Sequence, residues 1–152
     1  MTSRSPKQLT QFDSGGDELR RVQVPDDMEP GHAVESPTGT FIVSHPNAQL
    51  NQYQISEVNT DGNVLRQFTG SRLLSLGFRP YVAVDSRGDV FVADFVNCHV
   101  LLLDSQLTLR RVIVDEHLLN YEQPRCLRYV ERIGQLLIGL EDSVAVFDVL
   151  CR

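Results

Sequence analysis

Residues 80–113 read PYVAVDSRGDVFVADFVNCHVLLLDSQLTLRRVI, and this stretch decides the fold. It contains four short runs rich in Val, Leu, Ile and Phe, separated by Gly, Asp, Asn and Ser, as strands joined by turns require. The turn DSRG at residues 85–88 ends in a glycine, which tolerates the positive φ of a hairpin connection. In the last run, residues 107–113, Thr and Arg alternate with apolar residues, as in a half-exposed outer strand. The stretch therefore predicts four consecutive antiparallel strands.

The same pattern recurs on both sides of this stretch. The turn glycines of the copies are Gly39, Gly88 and Gly134. The pairs that mark strand ends are Phe12-Asp13, Val58-Asn59, Leu103-Asp104 and Phe147-Asp148. The intervals between the first residues of these pairs are 46, 45 and 44 residues, which fall among the blade repeats of β-propellers, roughly 40 to 50 residues.

The repeat predicts an all-β fold, a partial β-propeller of about three four-stranded antiparallel blades. Residues 1–8 are expected to form a flexible N-terminus, and residues 9–150 are expected to form the propeller segment. Within that segment we expect the end of one blade (9–24), two full blades (31–68 and 80–113) and an incomplete blade (124–150). The predicted strands number two, eight and three along the chain.

Such a set of strands leaves open edges, because propellers typically close with about four to eight blades of four strands. Unpaired strand edges pair with other chains. Two interpretations therefore remain open: the chain is a fragment of a longer protein, which we favour, or copies self-associate through the open blade edges to complete a ring.

Two further segments carry structural expectations. The polar run HPNAQLNQYQ at residues 45–54 predicts an exposed loop between the second and third strands of its blade. The connectors between blades contain the pairs Leu73-Leu74 and Leu118-Leu119. We expect these pairs to place apolar side chains between neighbouring sheets rather than to bind a partner.

Charge and composition exclude several classes of function. The formal net charge of −6 disfavours nucleic acid and acidic membrane surfaces as partners, since both are bound by basic faces. No run approaches the roughly 18 apolar residues of a membrane helix, and the N-terminus contains no apolar signal segment. The three cysteines, Cys98, Cys126 and Cys151, are odd in number and widely spaced, which indicates a reducing compartment. We therefore expect a cytoplasmic protein without a membrane anchor.

The segment PYVAVDSRGDVFVADFVNCHVLLLD resembles the NHL repeat. The residues that carry the likeness are Pro80, Val82, Val84, Asp85, Gly88, Val92, Ala93, Asp94, Asn97 and Val100. NHL-type propellers often lie at the end of tripartite-motif ubiquitin ligases, where they recognise proteins or RNA. The resemblance implies a non-catalytic protein-interaction scaffold without a cofactor. It also implies that the chain is a fragment of a larger propeller or ubiquitin-ligase-type protein. The chain lacks the cysteine and histidine spacing of a RING domain, so these residues carry no ligase activity.

Two alternatives stay open beside the scaffold. One is a gluconolactonase-like hydrolase that depends on a divalent metal, and the other is an RNA-binding NHL propeller, which the acidic charge disfavours. The oxygen-bearing residues that suggest a metal are Asp85, Asp94, Asn97 and Asp104. We favour a structural role for them, because Asp and Asn at strand ends ordinarily bond the backbone N–H groups of their own turn.

The binding face follows from the order of the strands. Alternate turns of a meander lie at the same end, so the second-to-third connections and the blade connectors are expected to open on one face. The residues predicted there for partner binding are Arg79, Phe95, Asn97, His117, Tyr121 and Arg125. Exposed aromatic residues beside arginines are typical of protein interfaces. No nucleophile, phosphate-loop or metal-ligand motif is found, so we predict a binding protein and not an enzyme.

Overall fold

The structure, a computed structural model, describes residues 7–47, 49, 52–69 and 80–149. Its strands are, in chain order, β1 (Gln8–Phe12), β2 (Glu18–Gln23), β3 (His32–Glu35), β4 (Phe41–Asn47), β5 (Gln52–Val58), β6 (Val64–Phe68), β7 (Tyr81–Val84), β8 (Val90–Asp94), β9 (His99–Leu103), β10 (Leu109–Val114), β11 (Cys126–Val130), β12 (Gln135–Gly139) and β13 (Val144–Asp148). Within the described ranges, the one helical element is a 3-10 turn at Glu131–Ile133. The predicted all-β class is confirmed.

The strands pair in chain order and antiparallel to form four sheets. The first sheet contains β1 and β2, the second β3 to β6, the third β7 to β10, and the fourth β11 to β13. The first strands of successive sheets lie side by side, since β3 and β11 both contact β7, as inner strands of a propeller do. This succession of strands confirms the partial β-propeller of about three four-stranded blades.

Some boundaries differ from the prediction by one or two residues. β1 begins at Gln8, inside the segment expected to be a flexible N-terminus, and residues 1–6 lie outside the described residues. The strand expected at residues 107–113 begins at Leu109, because Leu107 belongs to the preceding turn. Residue 150, the predicted end of the last blade, also lies outside the described part of the chain.

The hairpin turns explain why an acidic or amide residue and a glycine recur together. In the β7–β8 turn, Asp85 Oδ1 accepts the N–H groups of Arg87 at 2.9 Å and Asp89 at 3.0 Å. The Gly88 N–H donates to the Asp85 carbonyl, and Gly88 has a φ of 87°. The same pair of side-chain hydrogen bonds begins at Asp13, Asn59 and Asp104, while at Ser36 the hydroxyl accepts only the N–H group of Thr40. The side chain at the strand end therefore closes each turn.

Leu107 occupies the turn position that the other copies give to glycine. Its φ is 59°, a conformation that costs a side-chain-bearing residue about 1–2 kcal/mol. Its side chain is only 3% exposed and packs with Leu101 and Leu103 between the second and third sheets. Burying a leucine side chain contributes about 1.5–3 kcal/mol, which offsets the backbone strain.

Apolar side chains fill the space between successive sheets in three clusters. The largest lies between the third and fourth sheets and contains Ala83, Phe91, Ala93, Val100, Leu102, Val114, Leu119, Leu127, Leu136, Ile138 and Val149. Leu119 is buried there as predicted, whereas its neighbour Leu118 is 60% exposed, and Leu73-Leu74 lies outside the described residues. β8 and β9 are buried along their whole length because a sheet covers each of their faces.

The expected exposed loop at residues 45–54 is wrong at both ends. β4 continues to Asn47 and β5 begins at Gln52, so most of the polar run belongs to paired strands. His45 is 3% exposed and Gln54 is 6% exposed. Their polar groups tolerate burial because they are hydrogen-bonded: His45 Nε2 lies 2.6 Å from Ser56 Oγ, and Asn47 donates to Gln54 at 3.1 Å.

Candidate functional site

One end of the third and fourth sheets brings together the β8–β9 connection, residues 95–98, and the β10–β11 connector, residues 115–125. Asp94 builds the first of these turns, because its Oδ1 accepts the N–H groups of Val96 and Asn97, each at 3.2 Å. Its Oδ2 accepts a bond of 2.6 Å from the side-chain amide of Asn97. The turn is thereby fixed at the point where Phe95 projects from it.

The connector is a compact loop held by its own backbone. Asp115 Oδ1 accepts the Leu118 N–H at 2.9 Å, and the Tyr121 N–H donates to the Glu116 carbonyl at 2.8 Å. Leu119 anchors the loop in the core between the sheets. The side chains of residues 117, 118, 120–123 and 125 are exposed on this fixed backbone, whereas Pro124 is buried like Leu119.

The two segments meet through an aromatic–arginine contact. The guanidinium carbon of Arg125 lies 5.7 Å from the centroid of the Phe95 ring, within the range of a cation–π interaction. Cys98 Sγ lies 3.5 Å from the Tyr121 carbonyl oxygen. The second-to-third connection and the blade connector thus lie on the same face, which is the arrangement expected from the strand order.

A second aromatic pair lies in the connector itself. The rings of His117 and Tyr121 meet edge to face with centroids 5.3 Å apart, and the tyrosine hydroxyl lies 2.9 Å from His117 Nδ1. Tyr121 is 63% exposed. The pair therefore presents a rigid aromatic surface to solvent.

The six predicted residues are not equivalent in this arrangement. Phe95, Arg125, His117 and Tyr121 form two side-chain pairs on one face. Asn97 holds the turn through Asp94, so its amide has a structural task. Arg79 lies outside the described residues.

A cleft of about 470 Å³ opens beside these pairs. Its lining residues are Cys98, Tyr121, Glu122, Gln123, Arg125, Glu141, Asp142 and Ser143. Three of them are acidic, and Arg125 Nη2 lies 4.0 Å from Glu141 Oε2. The acidic residues were missed in the sequence because no motif links residue 122 to residues 141–142. We call the face formed by this cleft and the two aromatic pairs the connector face.

Two residues that line this cleft, Cys98 and Tyr121, have positive φ, as does Asn120 next to Tyr121. The values are 53° for Cys98, 53° for Asn120 and 59° for Tyr121. Such conformations persist where surrounding contacts fix the backbone, and they cluster at functional sites. No sequence signal marked these positions, since glycine is the residue normally expected there.

The ionisable groups under the connector face include the Cys98 thiol and the Asp94 carboxyl group. Burial raises the pKa of the Cys98 thiol, and the negative charges of Asp94 and Glu116 raise it further. Burial opposes ionisation of Asp94, but its contacts with His99 and Asn97 outweigh that effect and lower the pKa of Asp94. The thiol is therefore protonated at neutral pH, which makes it a weak nucleophile.

The oxygen-bearing residues considered for a metal are engaged in turns. Asp85 and Asp104 each accept two backbone N–H groups of their own hairpin, and Asp94 does the same in the β8–β9 connection. Among the residues that the structure describes, no group of three or more His, Cys, Asp or Glu side chains is placed to hold a metal ion. No helix in those ranges is long and apolar enough to cross a bilayer.

Comparison with known proteins supports the fold. No protein-family model and no curated protein sequence matches the chain. A solved gluconolactonase from Xanthomonas campestris is similar over 94% of this chain and 44% of its own, with a TM-score of 0.63 and 15% identity. A protein of unknown function from Bacteroides caccae matches over 95% and 51%, with a TM-score of 0.61 and 17% identity.

Hydrazine synthase from Kuenenia stuttgartiensis is a further similar structure. The match covers 82% of this chain and 34% of that one, with a TM-score of 0.59 and 16% identity. The chain therefore spans about half, or less, of the length of these structures. At such identities the likeness establishes a propeller-like all-β fold and nothing finer.

Proposed function

We propose that the chain is a non-catalytic protein-interaction scaffold built from NHL-like repeats, and that the connector face binds a protein partner. The observation that carries this proposal is the meeting of two separate connections there, with Arg125 over Phe95 and His117 against Tyr121. Aromatic and arginine side chains dominate the energetics of protein interfaces.

The exposure of the connector face supports the same proposal. Val96 is 52% exposed, Leu118 is 60% exposed and Tyr121 is 63% exposed. Apolar and aromatic side chains that remain exposed beside an arginine have the composition of the centre of an interface. Their backbone is fixed by the turn of Asp94 and the loop of Asp115, so little conformational entropy is lost on binding.

The NHL-like character rests on the way the motif residues act together. In the best-matching copy, Asp94 and Asn97 are joined by a hydrogen bond of 2.6 Å that closes the β8–β9 connection. The spacing of Asp and Asn in that copy thus has a structural reason. We propose further that the chain acts within a larger propeller or a ubiquitin-ligase-type protein in the cytoplasm, which agrees with its match to about half of longer structures.

A protein partner is favoured over RNA and over a hydrolase reaction. The net charge of −6 and the three carboxylates of the cleft oppose phosphate binding. A metal-dependent hydrolase has less support, because Asp85, Asp94 and Asp104 direct carboxylate oxygens to their own turns.

The test is quantitative affinity capture with charge- and ring-removing variants. The double variant Tyr121→Ala with Arg125→Glu is expected to weaken capture of the specific partner by about tenfold or more, as loss of interface hot spots does. Arg87→Glu is the matched control, since Arg87 is an exposed arginine in the β7–β8 turn at the other end of the sheet. Equal capture by both variants contradicts the proposal. Tight binding of calcium or zinc in calorimetry supports the hydrolase instead.

A further inference from the structure

A second cleft, of about 570 Å³, lies where the first strands of the sheets begin. Its lining residues are Glu29, Pro30, Gly31, His32, Ser44, Pro46, Tyr53, Pro80, Tyr81 and Arg125. The volume falls within the range of small-molecule sites, about 300–1,000 Å³. We call it the inner-strand cleft.

His32 enters this cleft with one ring nitrogen already engaged. Its Nδ1 accepts the Val82 N–H at 3.2 Å, so in the neutral ring the hydrogen is carried by Nε2. Burial lowers the pKa of His32 and so favours this neutral ring. Among the described residues, none offers an acceptor to the Nε2–H group.

The backbone beside His32 is fixed by Ser44. The His32 N–H donates to Ser44 Oγ at 3.0 Å, and the Gly31 N–H donates to the Ser44 carbonyl at 2.7 Å. A Cβ on Gly31 would lie 3.3 Å from both of those oxygens, so only glycine fits without displacement. The imidazole is thus held in one position before any ligand arrives.

An aromatic wall adjoins this donor. The rings of His32 and Tyr81 are stacked, with centroids 3.7 Å apart and planes inclined by 24°. Pro30, Pro46 and Pro80 line the same cleft and restrict the flexibility of its backbone. A flat, apolar and largely preformed surface is suited to a planar ligand.

The charges of the cleft favour an anion. Arg125 is the cation of its lining, and its one ion pair in the described residues is with Glu141 at 4.0 Å, beyond hydrogen-bond distance. Glu29 is the acidic residue of the lining, and Lys7 neutralises it at 3.2 Å. The Arg125 guanidinium and the His32 Nε2–H group are therefore the two donors of the cleft that can bind a ligand's acceptor.

We propose that the inner-strand cleft binds a small planar organic anion of the aromatic carboxylate class. The ring of the ligand packs against Tyr81 and the prolines of the lining, beside the edge of His32 where the Nε2–H group lies. Its carboxylate accepts hydrogen bonds from His32 Nε2–H and from the Arg125 guanidinium. This site is separate from the proposed protein partner, although Arg125 adjoins both clefts.

The test uses three probes of similar size, titrated against the whole chain and followed by the backbone amide resonances of residues 31–32 and 81–82. Benzoate is expected to bind saturably. Benzamide, which has the shape without the charge, and cyclohexanecarboxylate, which has the charge without the flat ring, are each expected to bind about tenfold more weakly, because each loses one of the two recognised features.

Two variants and a control assign the site. His32→Asn retains an acceptor for the Val82 N–H but removes the Nε2 donor, and Arg125→Gln removes the cation. Each is expected to weaken benzoate binding by about tenfold, the usual effect of losing a hydrogen bond to a charged group. Arg128→Gln, on the exposed side of β11 and outside the cleft lining, is expected to change nothing.

The proposal is overturned if benzoate shifts remain linear with concentration, if benzamide binds equally well, or if His32→Asn leaves the affinity unchanged while circular dichroism shows an intact fold. Arg125 belongs to both clefts, so the residues that separate this proposal from the protein partner are His32 and Tyr121, each of which lines one cleft. His32→Asn leaves the connector face intact, so loss of benzoate binding with normal partner capture supports this site alone, whereas Tyr121→Ala tests the partner alone.

Discussion

His45 lies in a buried polar group on the surface that β4 and β5 turn toward the first sheet. Its Nε2 is 2.6 Å from Ser56 Oγ, and its Nδ1 is 3.2 Å from the Pro46 carbonyl oxygen. The Pro46 carbonyl can only accept, so Nδ1 carries the hydrogen and donates it in this hydrogen bond, and in the neutral ring Nε2 accepts a hydrogen bond from the serine hydroxyl. Burial lowers the pKa of His45, and the Pro46 carbonyl and Asp27 oppose this only in part.

This neutral histidine makes folding stability sensitive to mild acid. Because burial lowers the pKa of His45 and of His32 below 6.5, the unfolded chain binds protons before the folded one does as pH falls. Their contribution is complete above pH 6.5 and is lost below it. We expect the free energy of unfolding, from urea titrations, to fall as the pH is lowered below 6.5. The slope cannot exceed about 1.4 kcal/mol per pH unit for each histidine, the limit for one bound proton.

The variant His45→Gln separates this residue from His32. Glutamine retains a hydrogen-bonding group without a titrating ring, so the pH slope is expected to become shallower by about half. An unchanged slope in His45→Gln shows that His45 does not titrate in this window. The Asp94 contribution does not interfere, since its pKa is lowered from 3.8 and its effect on stability appears only at lower pH.

Contacts between individual side chains were the feature that the sequence predicted least well. The polar residues at positions 45–54 predicted an exposed loop. Most of them lie in strands instead, because hydrogen bonds between residues on different strands permit their burial, and the sequence does not show these bonds. The contact of Arg125 with Phe95 and the stack of His32 on Tyr81 join residues 30 and 49 positions apart. Such contacts depend on the packing of sheets, which no local pattern specifies.

At the level of the hairpin, two turns that begin with Asp make the same hydrogen bonds but differ in the exposure of the Asp side chain. Asp85 and Asp13 each accept the N–H groups two and four residues ahead. Asp85 is 3% exposed, whereas Asp13 is exposed to solvent. Water can replace the lost bonds at Asp13 but not at Asp85.

Replacing these two residues by alanine should therefore have unequal effects. Asp85→Ala is expected to lower the free energy of unfolding by about 2–3 kcal/mol, since two N–H groups lose a buried acceptor. Asp13→Ala is expected to cost about 0.5–1 kcal/mol. Denaturant unfolding measures both, and equal losses would mean that burial does not set the strength of the turn.

Strands were predictable because their signals are local. A run of β-branched and aliphatic residues, an Asp or Asn at its end and a glycine three residues later were sufficient to place the hairpins, and the repeat gave the succession of sheets. The turn at residues 104–108 shows the limit of the pattern, because Leu107 replaces the glycine and its apolar side chain suggested a longer fourth strand. Long-range packing decided that position.

At the level of the whole molecule, both terminal sheets expose apolar side chains. On the fourth sheet, Val144 is 62% exposed and Val146 is 53% exposed, while Ala145 and Phe147 on the other side pack against the core. The first sheet also exposes apolar side chains, since Phe12 is 58% exposed and Leu19 is 59% exposed, and β2 carries the Glu18–Arg21 ion pair as well. On the fourth sheet, the two exposed valines share one side of β13, the last strand of that sheet, and we expect self-association there.

Lysines on that face should prevent association. The double variant Val144→Lys with Val146→Lys is expected to remain monomeric in sizing with light scattering at concentrations where the unaltered chain forms larger species, because burying two charges is unfavourable. Thr10→Lys on the first sheet is the control and should behave as the unaltered chain. If the unaltered chain is monomeric at all concentrations, self-association through the fourth sheet is wrong.

The burial of β8 and β9 on both faces affects how fast their amide hydrogens exchange with solvent. Among the described residues, the second and third sheets each share core clusters with two other sheets, while the first and fourth share one each. In such a linear array, the terminal units open while the middle remains closed. Amide hydrogens of β4, β5, β8 and β9 should therefore exchange with solvent last, and both proposed binding clefts take residues from these slowly exchanging sheets or the segments directly joined to them.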